Sequence, residues 1–176
     1  MNKKNTGFTL IELIIYIAVF AIIATILTLF VFNFINVYTK IRITKEVSEN
    51  SQIAMETMLL EIRHAKDIYT PTNSLGTHPG QLSLKTERET PIGEETAYVD
   101  FYLDENKRLC VKKDGQEAEP LTSENIEINN LIFNYLTTDK SKSVRIELLA
   151  NYRQRSGRIT HQATTTITSS ANLRND

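Results

Sequence analysis

Residues 13–32 form a run of twenty positions without a charge, LIIYIAVFAIIATILTLFVF. At about 1.5 Å rise per residue this run spans roughly 30 Å as a helix, the thickness of a bilayer core. That is too long for a buried core helix and predicts a segment that sits in lipid. The pattern then changes without a breaker. No Pro or Gly occurs over residues 8–70, which predicts one long helix reaching about Asp67. In its second half Val47, Ser51, Ala54, Met58, Ile62 and Ala65 recur at three- and four-residue steps, while Glu46, Glu49, Glu56, Glu61 and Lys66 lie largely off that stripe. The stripe is expected to pack on the protein's own sheet.

Pro71, Asn73, Gly76, Pro79 and Gly80 make residues 68–80 the loop that ends the helix. After it the period drops to two. A short first strand is expected over residues 81–86. Val99, Phe101 and Leu103 share one face of the next strand, and the Asp104-Glu105-Asn106 turn leads to Leu109 and Val111. Ile126 and Ile128 are in phase, but Leu131, Phe133 and Tyr135 follow after a one-residue shift at Asn129-Asn130, which predicts a bulge or turn. Val144, Ile146, Leu148, Ala150 and Tyr152 give the clearest alternation in the chain. A last strand is expected near residues 159–168, with Ile159, Ala163 and Ile167 inward and a row of threonines outward. The predicted class is α+β: a long N-terminal helix packed on a mainly antiparallel sheet.

Composition narrows the chemistry. The 176 residues allow one ordinary domain plus an extension, and a net charge of -1 gives no bulk electrostatic reason to expect nucleic acid. Cys110 is the single cysteine and His64, His78 and His161 are scattered, so neither an internal disulfide nor a zinc-type cluster is expected. There is no G-x-S-x-G, no H-E-x-x-H and no phosphate loop. Asp100, Asp104 and Glu105 read as turn residues more cheaply than as a carboxylate site. The expectation is a protein without catalytic residues, metal or cofactor.

One residue resists the reading of a plain membrane anchor. Glu12 lies inside the apolar segment, between Ile11 and Leu13, and a carboxylate there is costly enough to call for a function and a partner. Lys3 and Lys4 supply a basic start, but the apolar run is longer than a secretory signal requires, and Ala18, Ala21 and Ala24 make no A-x-A site. The segment KKNTGFTLIELI closely resembles the processing site of type IV prepilins and type II secretion pseudopilins. The resemblance implies cleavage between Gly7 and Phe8 by a prepilin peptidase, N-methylation of the new terminus at Phe8, and an assembly role for Glu12. Cleavage exposes an α-amino group that is largely cationic at neutral pH. Phe8 of one subunit and Glu12 of its neighbour can then pair, each offsetting part of the other's cost in lipid.

Carried along the chain, the resemblance implies a cytoplasmic leader over residues 1–7, held by Lys3 and Lys4. It implies a transmembrane and assembly half of the helix over 8–35, an amphipathic half over 36–68, and a β-rich head over 69–176. The implied partners are the prepilin peptidase/methyltransferase, other pilin or pseudopilin subunits, an inner-membrane assembly platform, and membrane lipid before assembly. The implied location is the cytoplasmic membrane, crossed once with the N-terminus inside and the head outside, and then a pilus or pseudopilus in the periplasm or at the cell surface. The family also implies a protruding N-terminal helix.

A second resemblance spans residues 97–173. DFYLDENKRLCVKK, PLTSENIEINNLIFNYL and SVRIELLANY look like the body of minor pseudopilins of the J or W type, which implies a tip-associated subunit. Two alternatives stand beside a pilus subunit: a type II secretion pseudopilin that drives protein export, and a competence pseudopilin that binds DNA. For the latter, Lys140, Lys142, Arg145, Arg153, Arg155, Arg158 and Arg174 outnumber Asp139, Glu147 and Asp176. Arg145, Arg153, Arg155 and Arg158 are the candidate phosphate contacts. A solvated strand face and loop explains them more simply, so nucleic acid is not the expected partner.

Overall fold

The computed structural model describes residues 9–88, 90–138, 141–153 and 162–174. The chain divides into two compact units, Met1–Thr39 and Lys40–Asp176. One helix, α1 (Leu10–His64), begins in the first and ends in the second. Within the first unit its side chains face outward all round, and the most apolar 18-residue window is 0% buried. Thr25, Thr28 and Thr39 donate to the carbonyls of Ala21, Ala24 and Ile35 at 2.8, 2.8 and 2.9 Å. Each hydroxyl is thereby satisfied inside the helix, as a lipid surrounding demands.

The second unit holds two antiparallel sheets. Strands β1 (Asp67–Ile68), β2 (Leu82–Thr86), β3 (Ala97–Leu103), β4 (Leu109–Lys113) and β5 (Glu119–Pro120) form the first, in chain order. Strands β6 (Ile126–Thr138), β7 (Ser141–Tyr152) and β8 (Thr164–Asn172) form the second, also in chain order. The α+β expectation is met, with the predicted sheet divided in two. The helical stripe is the core's spine: Val47, Ser51, Ala54, Met58, Ile62 and Ala65 are all fully buried. They cluster with Leu82, Leu84, Phe101 and Leu109 of the first sheet and with Ile128, Leu131, Phe133, Ile146 and Leu148 of the second. Each large side chain so buried contributes roughly 1.5–3 kcal/mol before entropy is counted.

Polar contacts fix how the helix meets the strands of this unit. The Asn50 side-chain oxygen accepts from the Ser123 N–H at 2.9 Å, and the Asn125 amide donates to Glu46 at 2.9 Å. Thr122, buried in the Pro-Leu-Thr-Ser segment, accepts from the Leu109 N–H at 3.1 Å. Glu61 pairs with Lys113 at 3.1 Å, and Asp67 with Lys142 at 2.9 Å.

Three boundaries differ from the sequence reading. The helix ends at His64, not near Asp67, because Asp67 and Ile68 pair with Lys85 and Leu84 as β1. Strand pairing ends the helix where no Pro or Gly does. The segment over residues 68–80 is not a bare loop: after β1 comes a turn of 3-10 helix at Thr70–Thr72. From Ser74 to Gln81, joined by a bridge, the chain lies along the outer edge of β6. There the Gly76 and Gly80 N–H groups donate to Phe133 and Leu131 carbonyls at 2.8 and 2.9 Å, and His78 Nδ1 accepts from the Leu131 N–H at 3.1 Å. The last strand begins and ends later than expected, because its pairing with β7 runs on to Asn172 opposite Ser143. Its phase is as read: Thr164, Thr166 and Thr168 face out, and Ile167 faces in. Ile159 lies outside the described residues. The shift at Asn129-Asn130 is a bulge inside one continuous strand, between Ile128 and Asn130.

Candidate processing and assembly segment

The candidate site begins where α1 begins. Thr9 precedes the first helical residue, and its carbonyl accepts from the Leu13 N–H at 3.2 Å. The Thr9 hydroxyl accepts from the Glu12 N–H at 3.4 Å and donates to the Glu12 carboxylate at 3.5 Å. Thr-Leu-Ile-Glu is thus an N-cap with its reciprocal acidic residue three positions on, although both contacts are long. Glu12 is the acidic residue of the first turn, where the positive end of the helix dipole favours a carboxylate. This T-x-x-E signal is legible in the sequence, and the sequence reading did not use it. Its chemical content is specific. The carboxylate is only half-buried and has no cationic partner among the described residues, so it is available to one.

Behind Glu12, Leu13, Ile14, Ile15 and Ile17 are exposed, as are Phe20, Ile22 and Ile26 further along. No face of this stretch is covered by the protein itself. A helix apolar all round is stable only inside something apolar. Gly7, Phe8, Lys3 and Lys4 lie outside the described residues.

The two candidate arginines among the described residues, Arg145 and Arg153, do not converge. Arg145, on the exposed face of β7, pairs with Glu147 at 3.3 Å. Arg153 donates its backbone N–H to the Asn125 carbonyl at 2.6 Å and its guanidinium to the Asn106 carbonyl. At about 3.3 Å per residue, the two positions lie roughly 26 Å apart along the strand direction. Arg155 and Arg158 lie outside the described residues. Among the described residues, no three His, Cys, Asp or Glu side chains gather as metal ligands. Asp104 is held by Arg108, whose backbone N–H and Nε both reach its carboxylate at 2.8 Å. Burial raises its pKa, but these two bonds outweigh that and keep it below the usual carboxylate range. Burial pushes the Cys110 thiol up, away from the ionised form a nucleophile needs.

Residues 2–28 match the family described as the prokaryotic N-terminal methylation motif, a range that takes in Gly7, Phe8 and Glu12. No curated protein and no solved structure gives a significant match to the chain. The methylation motif implies processing by a prepilin peptidase and assembly with other pilins, in a family of structural subunits. With the apolar half of α1, it marks a membrane-anchored segment. With this motif at its N-terminus, and a long N-terminal helix packed against antiparallel sheets, the chain is similar to the type IV pilins and pseudopilins.

Proposed function

We propose that this chain is a minor subunit of a type IV pilus or pseudopilus, cut between Gly7 and Phe8, methylated on Phe8, and placed at the tip or in the priming complex. The observation that carries the reading is Glu12: a carboxylate in the first turn of an uncovered apolar helix, tied among the described residues only to its own cap. In a lone subunit Thr9 and the helix dipole hold the carboxylate. When a second subunit docks, the charged amine on Phe8 of one chain meets Glu12 of the other inside lipid. Because each unpaired charge is costly there, the pair fixes axial register more than it adds stability. Lys3 and Lys4 keep the leader on the cytoplasmic side, where the peptidase cuts.

Mass spectrometry of the mature protein from cells with an active prepilin peptidase should give an N-methylated terminus at Phe8. Gly7→Val should remain uncut. Glu12→Ala should be cut normally and yet enter sheared filaments about tenfold less, or worse, since losing one partner of a buried pair costs well over the 1.4 kcal/mol that a factor of ten represents. A terminus elsewhere refutes the processing site, and undiminished incorporation of Glu12→Ala refutes the pairing.

The tip assignment rests on the likeness of the body to J- and W-type minor subunits. Companion genes separate a pilus, with its retraction motor, from a type II secretion pseudopilus that drives protein export. The competence reading has less support, since Arg145 is ion-paired and Arg153 is bonded to the Asn106 carbonyl. A salt-dependent mobility shift with DNA would be needed to sustain it.

A further inference from the structure

The segment of residues 74–81, SLGTHPGQ, is a strap closed at its two ends, where Ser74 and Gln81 exchange backbone bonds at 2.9 and 3.2 Å. Between those ends it lies on the outer edge of β6, and three bonds hold it there. The Gly76 and Gly80 N–H groups donate to the Phe133 and Leu131 carbonyls, and the Leu131 N–H donates to Nδ1 of the His78 ring at 3.1 Å. The first two join backbone to backbone and are indifferent to pH. The third is not. In the sequence His78 is one of three scattered histidines; in the fold it is a fastener.

An imidazole nitrogen accepts a hydrogen bond only while it carries no proton. A backbone N–H can only donate, so the bond from Leu131 puts the ring proton of His78 on Nε2 and leaves Nδ1 bare. Leu131 is fully buried, and its N–H has no water to turn to while the strap is in place. A proton added to Nδ1 sets N–H against N–H, and the bond is lost. His78 is itself exposed, so that proton comes directly from solvent. No neighbour offsets the new charge. The strap holds no other titratable group. Along β6 stand Glu127, paired with Lys107 at 3.0 Å, and the uncharged Tyr135. On β7, Glu147 and Arg145 lie opposite Ile132 and Asn134 and pair with each other at 3.3 Å. His78 forms no ion pair among the described residues.

We infer that His78 is a pH-sensitive latch, whose protonation releases the strap from the edge of β6. The covered form binds one proton fewer than the open form. Covering is therefore strongest above the range in which imidazole titrates, and it weakens as pH falls through that range. A bond that excludes the proton altogether multiplies the open fraction by roughly thirty between pH 7.5 and pH 5, for an open-form imidazole with a pKa near 6.5. Release uncovers the Leu131 N–H and the Leu131 and Phe133 carbonyls, strand-edge groups of the kind that a cover keeps from other strands. A head outside the cytoplasm, as in the function proposed above, meets the pH of its surroundings. The latch itself follows from the geometry of the head alone.

The test is amide exchange of the full chain in detergent, read by NMR at pH 7.5 and pH 5 and corrected for the intrinsic pH dependence of exchange. Protection of the Leu131 amide should fall by well over threefold, toward the roughly thirtyfold limit. The Ile132 amide, which faces Glu147 of β7, should stay protected. His78→Asn keeps an acceptor in place of Nδ1, since Oδ1 lies the same number of bonds from the backbone, but it does not titrate. Its Leu131 protection should be equal at the two pH values. His78→Phe removes the acceptor and should leave Leu131 poorly protected at both. A fall of less than about threefold in the wild type overturns the inference, as does an equal fall in His78→Asn. A His78→Phe chain as well protected as the wild type at pH 7.5 overturns it too. Equal loss at Ile132 means that acid opens the whole sheet and not the strap, which also overturns it. Every readout lies in the head, so failure here stays distinct from failure of the assembly reading, which Glu12→Ala tests.

Discussion

Gly80 shows how one residue can decide whether an edge is covered. Its N–H reaches the Leu131 carbonyl, and a Cβ built on it would sit 2.9 Å from that same carbonyl oxygen and 3.0 Å from the Phe133 ring. Neither neighbour is free to yield: one is strand backbone, the other a fully buried core side chain. Gly80→Ala should therefore destabilise the head by about 1–3 kcal/mol, with the covering stretch displaced from β6. Chemical denaturation together with amide exchange at Leu131 would measure both effects. Glu12 is the opposite case at the same scale. Its identity was legible from sequence because a charge in an apolar run stands out. Its local bonding to Thr9 was equally written in T-x-x-E but was masked by the stronger membrane signal. Gly80 was read only as a loop marker, since close approach to a distant strand leaves no local trace.

At the scale of elements, α1 carries two patterns in one helix, and each demands a different surrounding. Most of the stripe over Val47 to Ala65 was legible, because a helix that buries one face must repeat at three and four residues; Met55 within it and Ile43 before it, also buried, were not read. Met58→Ala should cost about 2–5 kcal/mol, since it empties space between both sheets. Ser51→Ala, on the same buried stripe, should change stability by less than about 0.5 kcal/mol, because its hydroxyl bonds only to the Val47 carbonyl of its own helix at 2.7 Å. Thermal unfolding of the two variants side by side checks the contrast. The strands of alternating pattern, such as β7, were equally readable. The end of the helix and the bounds of β8 were not, because partners distant in sequence set them: Lys85 and Leu84 stop the helix, and Ser143 draws β8 out to Asn172.

For the whole molecule, the ion pair between Asp67 and Lys142 joins the first sheet to the second. Lys142 holds the Asp67 carboxyl below its ordinary value, and Asp67 raises the Lys142 ammonium in return. A depressed carboxyl stabilises the fold above its unfolded pKa, near 4, and that contribution is lost as pH falls through the folded value. The raised ammonium acts in the other direction and fails only at strongly alkaline pH. Both side chains are close to half exposed, so solvent screens the pair and its contribution is small. Asp67→Asn should lower stability slightly at pH 7 and progressively less toward pH 3, flattening the acid limb of the stability–pH curve, as urea titrations of the full chain in detergent at the two pH values would show. The fastening of Leu173 into the core and of Arg174 to Ala65 has a different consequence, one of timing. A ribosome making this chain releases the apolar helix to the membrane long before it reaches those residues. Until they clear the exit tunnel, β7 lacks its outer neighbour and the last turn of the helix lacks its partner. The apolar helix is therefore complete, and free to enter a membrane, before the head can finish folding.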